Sequence, residues 1–291
     1  MRHKHGMRSP VFALLLLTLL ASSSTAAPRR QSEAEAAMAR VVKTFEDVFT
    51  GDAAMAQPER VANAIARLPS HGPDAEMPVL AVGGSGWQAI FDREARRAAA
   101  VLTARHHGPA LILSNTAVQA RTGTLASRET VRLALAGLGR RARPDDTVIV
   151  YLASHGGETA NIQMDAPELD FADLTASDLA AALDKAGLRR RIIIVSACFG
   201  ASWFPALASP TTIIIAAAAP DRTSFGCDDS RELTLFGETL LAELARPQSL
   251  SAAFAAARTR IAAEERRLKV TPSRPAASVG SDMQALWTKG G

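Results

Sequence analysis

Cysteine, aromatic residues and long apolar runs are all scarce in this sequence. Only 2 of its 291 residues are cysteines, so it cannot form a disulfide-rich scaffold or a thiolate metal cluster. Aromatic residues make up 5%, with a single tyrosine, which leaves packing to Ile, Leu and Val. Charge of one sign is also missing, since 33 Lys and Arg face 29 Asp and Glu. The two signs are interleaved, as in Asp92-Arg93-Glu94 and Glu264-Glu265-Arg266-Arg267. Such stretches read as solvated helix faces rather than a basic stripe, and nucleic acid is not an expected partner.

One apolar run, Val11 to Ala21, follows Arg2, Lys4 and Arg8 and precedes Ser22-Ser23-Ser24-Thr25-Ala26-Ala27. A basic start, a short apolar centre and small residues at Ser24 and Ala26 make residues 1–26 an export signal, cleaved near Ala26. Its eleven residues are too few to span a bilayer comfortably, so no stable membrane span is expected after cleavage. Removing Arg2, Lys4 and Arg8 takes the formal charge from +4 to about +1. The expected location is periplasmic or secreted. In such a compartment Cys198 and Cys227 could form one structural disulfide.

Residues 27–76 read as a helical arm and linker. Met38, Val41, Val42, Phe45 and Val48 recur at helical spacing, Gly51 interrupts, and Val61, Ile65 and Leu68 mark a second helix from Pro58. The arm is either a helical hairpin packed on the main domain or a mobile prosegment. From residue 77 short apolar runs alternate with amphipathic helices. The runs are Val79–Val82, Ala110–Leu113, Thr147–Leu152, Ile192–Val195 and Thr212–Ile215. Non-alternating, mostly β-branched runs of this length are strands buried on both faces, as in a parallel sheet covered by helices. This predicts a three-layer α/β domain over residues 77–268 with a mainly parallel central sheet. Residues 269–291, with Pro272, Pro275 and Gly280, read as a loose tail.

Ligands of open parallel sheets gather at the carboxyl ends of the strands. The third run is followed by Ala153-Ser154-His155-Gly156-Gly157 and the fourth by Ser196-Ala197-Cys198-Phe199-Gly200. A His and a Cys therefore stand at the same sheet edge. An imidazole beside a thiol can take its proton and later protonate a leaving amine. The neighbouring glycines allow a sharp turn and leave N–H groups facing a reacting carbonyl, those of Gly156 and Cys198 being the candidate oxyanion donors.

These two segments resemble the legumain-like peptidases, family C13, of the caspase-like clan. The clan's Ala-Cys-x-Gly pattern is present, with His155 43 residues upstream of Cys198. The likeness continues through Asp221-Arg222-Thr223-Ser224-Phe225-Gly226-Cys227 and Phe236-Gly237-Glu238, and covers Val79 to Leu268. It implies a caspase-like fold and a cysteine endopeptidase, or a transpeptidase of the same chemistry, acting on protein or peptide substrates. It further implies that His155 and Cys198 are catalytic and that Ser196, Ser224 and Glu238 bind substrate, Glu238 as the acid of the specificity pocket. The chain departs from the family in having Ser154 before the His and Ser196 before the Ala-Cys pair. Ala89 aligns with the Asn that orients the His, and Arg93 with an Arg of the specificity pocket. The alternative is a caspase-like module without activity that binds peptides or partners.

No other constellation competes. Trp87 breaks a G-x-S-x-G elbow in Gly83-Gly84-Ser85-Gly86, and no dinucleotide or phosphate-loop fingerprint occurs. Two cysteines and scattered histidines supply no zinc site, so neither cofactor nor metal is expected. His106 and His107 read as surface residues at the opposite sheet edge. Asp221, Asp228 and Asp229 read as a solvated loop cluster.

Overall fold

The computed structural model describes residues 32–289, except 34, 41–42, 44–45, 48–50 and 168. The export segment, residues 1–26, and most of the first arm helix lie outside the described residues. The chain forms two units, Met1–Arg40 and Val41–Gly291. In the first, the described residues are helical. All that follows concerns the second.

Its centre is a six-stranded sheet of β1 (Val79–Gly83), β2 (Ala110–Ser114), β3 (Thr147–Ala153), β4 (Arg190–Ser196), β5 (Thr212–Ala216) and β6 (Ala276–Val279). The spatial order is β6-β5-β4-β3-β1-β2, parallel except for β6. Alternate residues of each strand feed two cores, because side chains on a strand point to opposite faces. Leu80, Val82, Val148, Val150, Leu152, Ile193, Val195 and Ile214 face one core. Helices α1 (Gln57–Ala66), α3 (Arg128–Arg141) and α4 (Ala176–Lys185) cover that face. Val79, Ala81, Ile149, Tyr151, Ile192, Ile194, Ile213 and Ile215 face the other. There the cover is α2 (Ala89–His106), α5 (Leu235–Leu244) and α6 (Leu250–Leu268). The result is the expected three-layer arrangement with a mostly parallel sheet.

Local capping starts several of these helices. Ser127 Oγ accepts from Thr130 N at 3.1 Å, and Thr130 Oγ1 accepts from Ser127 N at 2.9 Å, a capping box that closes with Thr at its third position. Thr175 and Asp178 form the equivalent box on α4. The second arm helix, α1, is docked on the domain. Val61 and Ile65 join the α3-side core, and Gly137 of α3 leaves the space that Ile65 fills. Burying each such side chain contributes about 1.5–3 kcal/mol. Arg60 donates to the Ala120 and Gly123 carbonyls at 2.8 and 3.3 Å, and Leu125 N donates to Gln57 Oε1 at 2.9 Å.

The C-terminal segment corrects one expectation, for it is not loose. Ala276–Val279 forms β6, antiparallel to β5 with Ile213 opposite Val279, and Met283 is buried in the core. Ala219 N donates to Ser273 O at 2.8 Å, and Ser273 N to Glu265 Oε1 at 2.9 Å. Ala-Ala-Ser-Val has little β-propensity of its own, and its order comes from pairing with a buried neighbour. A second correction concerns His106, which is half-buried. Burial, with the charges of Arg105 and His107, lowers it to about 4.

Among the described residues no helix is long and apolar enough to cross a membrane.

Candidate active site

The register of the sheet brings the two candidate segments together. Gly83 of β1 pairs with Ala153 of β3, and Ala153 with Ser196 of β4. His155 and Cys198 each lie two residues beyond these paired positions, on neighbouring strand ends. Ser154 N continues the ladder to Ser196 O at 3.4 Å. A Cβ on Gly156 would collide with the carbonyl oxygen of Cys198 and touch Ala197 Cβ. Glycine is thus required here by close backbone approach.

His155 is held from several sides. Its Nε2 lies 2.5 Å from Gln88 Oε1. The Phe91 ring meets the imidazole edge-on, with centroids 4.9 Å apart and planes at 80°. The carbonyl of His155 accepts from Gln163 N at 2.9 Å, and Ser154 Oγ donates to Gln163 O at 2.7 Å. Burial pushes the His155 imidazole below its ordinary pKa, against an upward pull from the Asp165 carboxylate. Asp165 is itself buried and hydrogen-bonded to the Gln163 amide.

The sulfur of Cys198 receives the Ser224 N–H at 3.2 Å and lies 3.7 Å from the Ser224 carbonyl. Phe199 follows in the left-handed region, φ 56°, and its N–H is taken by Arg222 O at 2.7 Å. Both cysteines are free thiols. Burial and the neighbouring charge of Cys198 push the Cys227 thiol up.

Behind the strand ends lies a carboxyl group with no exposure at all. Glu94 Oε1 accepts from Tyr151 OH at 2.7 Å, and Oε2 from Thr234 N at 3.0 Å. Gly237 has no side chain where the Glu94 carboxylate sits. Desolvation raises the pKa of Glu94 despite hydrogen bonds from Ser196, Thr234 and Tyr151. Thr234 Oγ1 accepts from Gly237 N at 2.9 Å, which starts α5, and lies 3.3 Å from Ser196 Oγ.

Two of the expected substrate-binding residues are therefore elsewhere. Ser196 is 3% exposed, and its hydroxyl belongs to the Glu94–Thr234 cluster beneath the site. It is a core residue because its side chain points into the helix-covered face of the sheet. Glu238 lies on the side of α5 that faces α6. Its carboxylate pairs with Arg231 at 2.6 Å in a surface cleft lined by Arg260, Glu264 and Arg267 as well. The packing of Leu235, Phe236, Leu240 and Leu241 sets the rotation of α5, which leaves Glu238 outward. Arg93 is likewise committed, donating to Asp229 Oδ1 at 3.2 Å and to the carbonyls of Arg231 and Glu232 at 2.8 and 3.0 Å.

Gln88 was not singled out by sequence reasoning, although it adjoins Ala89. The available signal was a polar side chain one residue before the aligned position. Among the described residues no cluster of His, Cys, Asp and Glu could hold a metal ion.

A model of the peptidase C13 family matches residues 134–284, about half of the chain and the part that carries both strand ends. The chain belongs to the peptidase C13 family. A comparison with curated proteins found no match. The C13 assignment makes the chain a peptidase-type hydrolase with a caspase-like fold. The matched region contains His155, Cys198, Ser224 and β6, whereas Gln88 and Glu94 precede it.

Proposed function

We propose that this C13 protein is an exported cysteine endopeptidase in which Cys198 is the nucleophile and His155 its base. The observation that carries the reading is the pairing of Ala153 with Ser196, which puts His155 and Cys198 on adjacent strand ends with Gly156 packed on the Cys198 carbonyl. When the Gln88 amide oxygen accepts from Nε2–H, the lone pair of the imidazole is on Nδ1. Nδ1 takes the thiol proton as Sγ attacks the scissile carbonyl, and returns it to the leaving amine. The Ser224 N–H meets Sγ and fixes its position beside the ring. The N–H groups of Gly156 and Cys198 hold the tetrahedral oxyanion; that of Phe199 is already engaged. Water, or a second amine, then releases the thioester. Ser224 flanks the sulfur and is the remaining substrate-contact candidate. The inactive-module alternative drew on Ala89, and the Gln88 contact supplies an orienting group without an Asn there.

The test is labelling with a thiol-reactive peptide ketone alongside peptide cleavage. Cys198→Ala should abolish both, His155→Ala should reduce both, and Cys227→Ala should retain a measurable fraction. Full cleavage by Cys198→Ala would end the reading. The export component is checked by N-terminal sequencing, with Ala27 or Pro28 expected as the first residue.

A further inference from the structure

Helix α2 starts without a cap of its own. Gln88 occupies the N-cap position with an extended backbone, yet its side chain caps nothing. Asp, Asn, Ser and Thr fill this position well because their short side chains reach the free N–H groups of the first turn. Here the side chain is spent on His155 instead. The free donors find a partner 139 and 140 residues away: Ile90 N donates to Asp229 Oδ1 at 2.9 Å and Ala89 N to Asp229 Oδ2 at 3.2 Å. The carboxylate also suits the positive end of the helix dipole, and Arg93, one turn further along α2, pairs with it at 3.2 Å.

Asp229 lies on a loop that touches Cys198 at one end and the start of α2 at its middle. The loop begins at Ser224, whose N–H meets Cys198 Sγ, and ends at Thr234, which is bonded to Glu94 and adjoins Ser196. We propose that Asp229 is a positioning residue for His155. By capping α2 from outside, it frees Gln88 to hold the imidazole and ties that contact to the segment that holds the sulfur. The proposal rests on the dyad reading above.

The test measures alkylation of Cys198 by iodoacetamide against pH, in a Cys227→Ala background, together with kcat and KM for a peptide. The inflection that disappears in His155→Ala reports the imidazole. In Asp229→Ala this inflection should shift or vanish, and kcat should fall about ten- to a hundredfold while KM stays within about twofold. Asp229→Asn, which keeps an acceptor oxygen, should recover most of the loss. Ser127→Ala removes the cap of α3 and serves as the structural control. It should lower Tm by about 2–4 °C and leave the inflection alone. An Asp229→Ala protein that loses only Tm, with the wild-type inflection and kcat, overturns the proposal. If the wild type cleaves no peptide, the endopeptidase reading fails and the alkylation profiles still decide. A lost inflection then upholds the role of Asp229, and an unchanged one refutes it.

Discussion

Replacing the amide of Gln88 with a carboxylate changes the charge on His155 with almost no change in shape. In the wild type, burial holds the imidazole below its ordinary pKa, and Gln88 contributes a neutral acceptor 2.5 Å from Nε2. Gln88→Glu puts a negative charge at that distance. An opposite charge this close raises the pKa of a half-buried group by about 1–3. Each step of one in pKa is about 1.4 kcal/mol of preference for the imidazolium. The protonated ring cannot accept the thiol proton, so the acid limb of kcat/KM should move upward by the same amount. Below that limb the variant should lose about tenfold in rate for every pH unit the limb has moved. The stability sign follows from the same change. In the wild type, stability from the depressed imidazole is present above its unfolded pKa and is lost as pH falls. In the variant, the new pair stabilises below the unfolded pKa and is lost as pH rises through the raised folded value. Full pH–rate profiles of both proteins on one peptide, with urea midpoints at each pH, measure both effects. An acid limb that stays put or moves down would refute the role assigned to Gln88.

Three further outcomes follow from the structure. Gly156→Ala should destabilise the protein by about 1–3 kcal/mol and abolish most labelling of Cys198, because the new methyl meets the Cys198 carbonyl; wild-type labelling and Tm would refute the close packing. Glu94→Gln should be tolerated near neutral pH and be less sensitive than the wild type to rising pH. Its raised folded pKa gives stability that is present below the unfolded pKa and lost as pH rises through the folded one, which thermal melts of both proteins at a series of rising pH values would reveal. His106, lowered from 6.5 to about 4, should cost about 3 kcal/mol of stability as pH falls through that window, and His106→Gln should remove this slope from urea midpoints.

The positions of His155 and Cys198 were legible in the sequence for a local reason. Strands buried on both faces need unbroken apolar residues, so Thr147–Ala153 and Arg190–Ser196 stand out and the first chemically active side chains beyond them can be read directly. The three-layer fold was legible on the same grounds. β6 was not, because Ala276–Val279 owes its order to β5 rather than to any pattern of its own.

By itself, then, the sequence determined the five parallel strands, the order of helices between them and the two candidate residues at one sheet edge, since each depends on short-range apolar patterning. Only the tertiary structure decided what surrounds that pair. Gln88 meets His155 across 67 residues and Asp229 meets α2 across 140, separations at which no periodicity links two side chains. Ser196 went beneath the site and Glu238 to the surface because the facing of a strand end and the rotation of α5 are set by what each packs against.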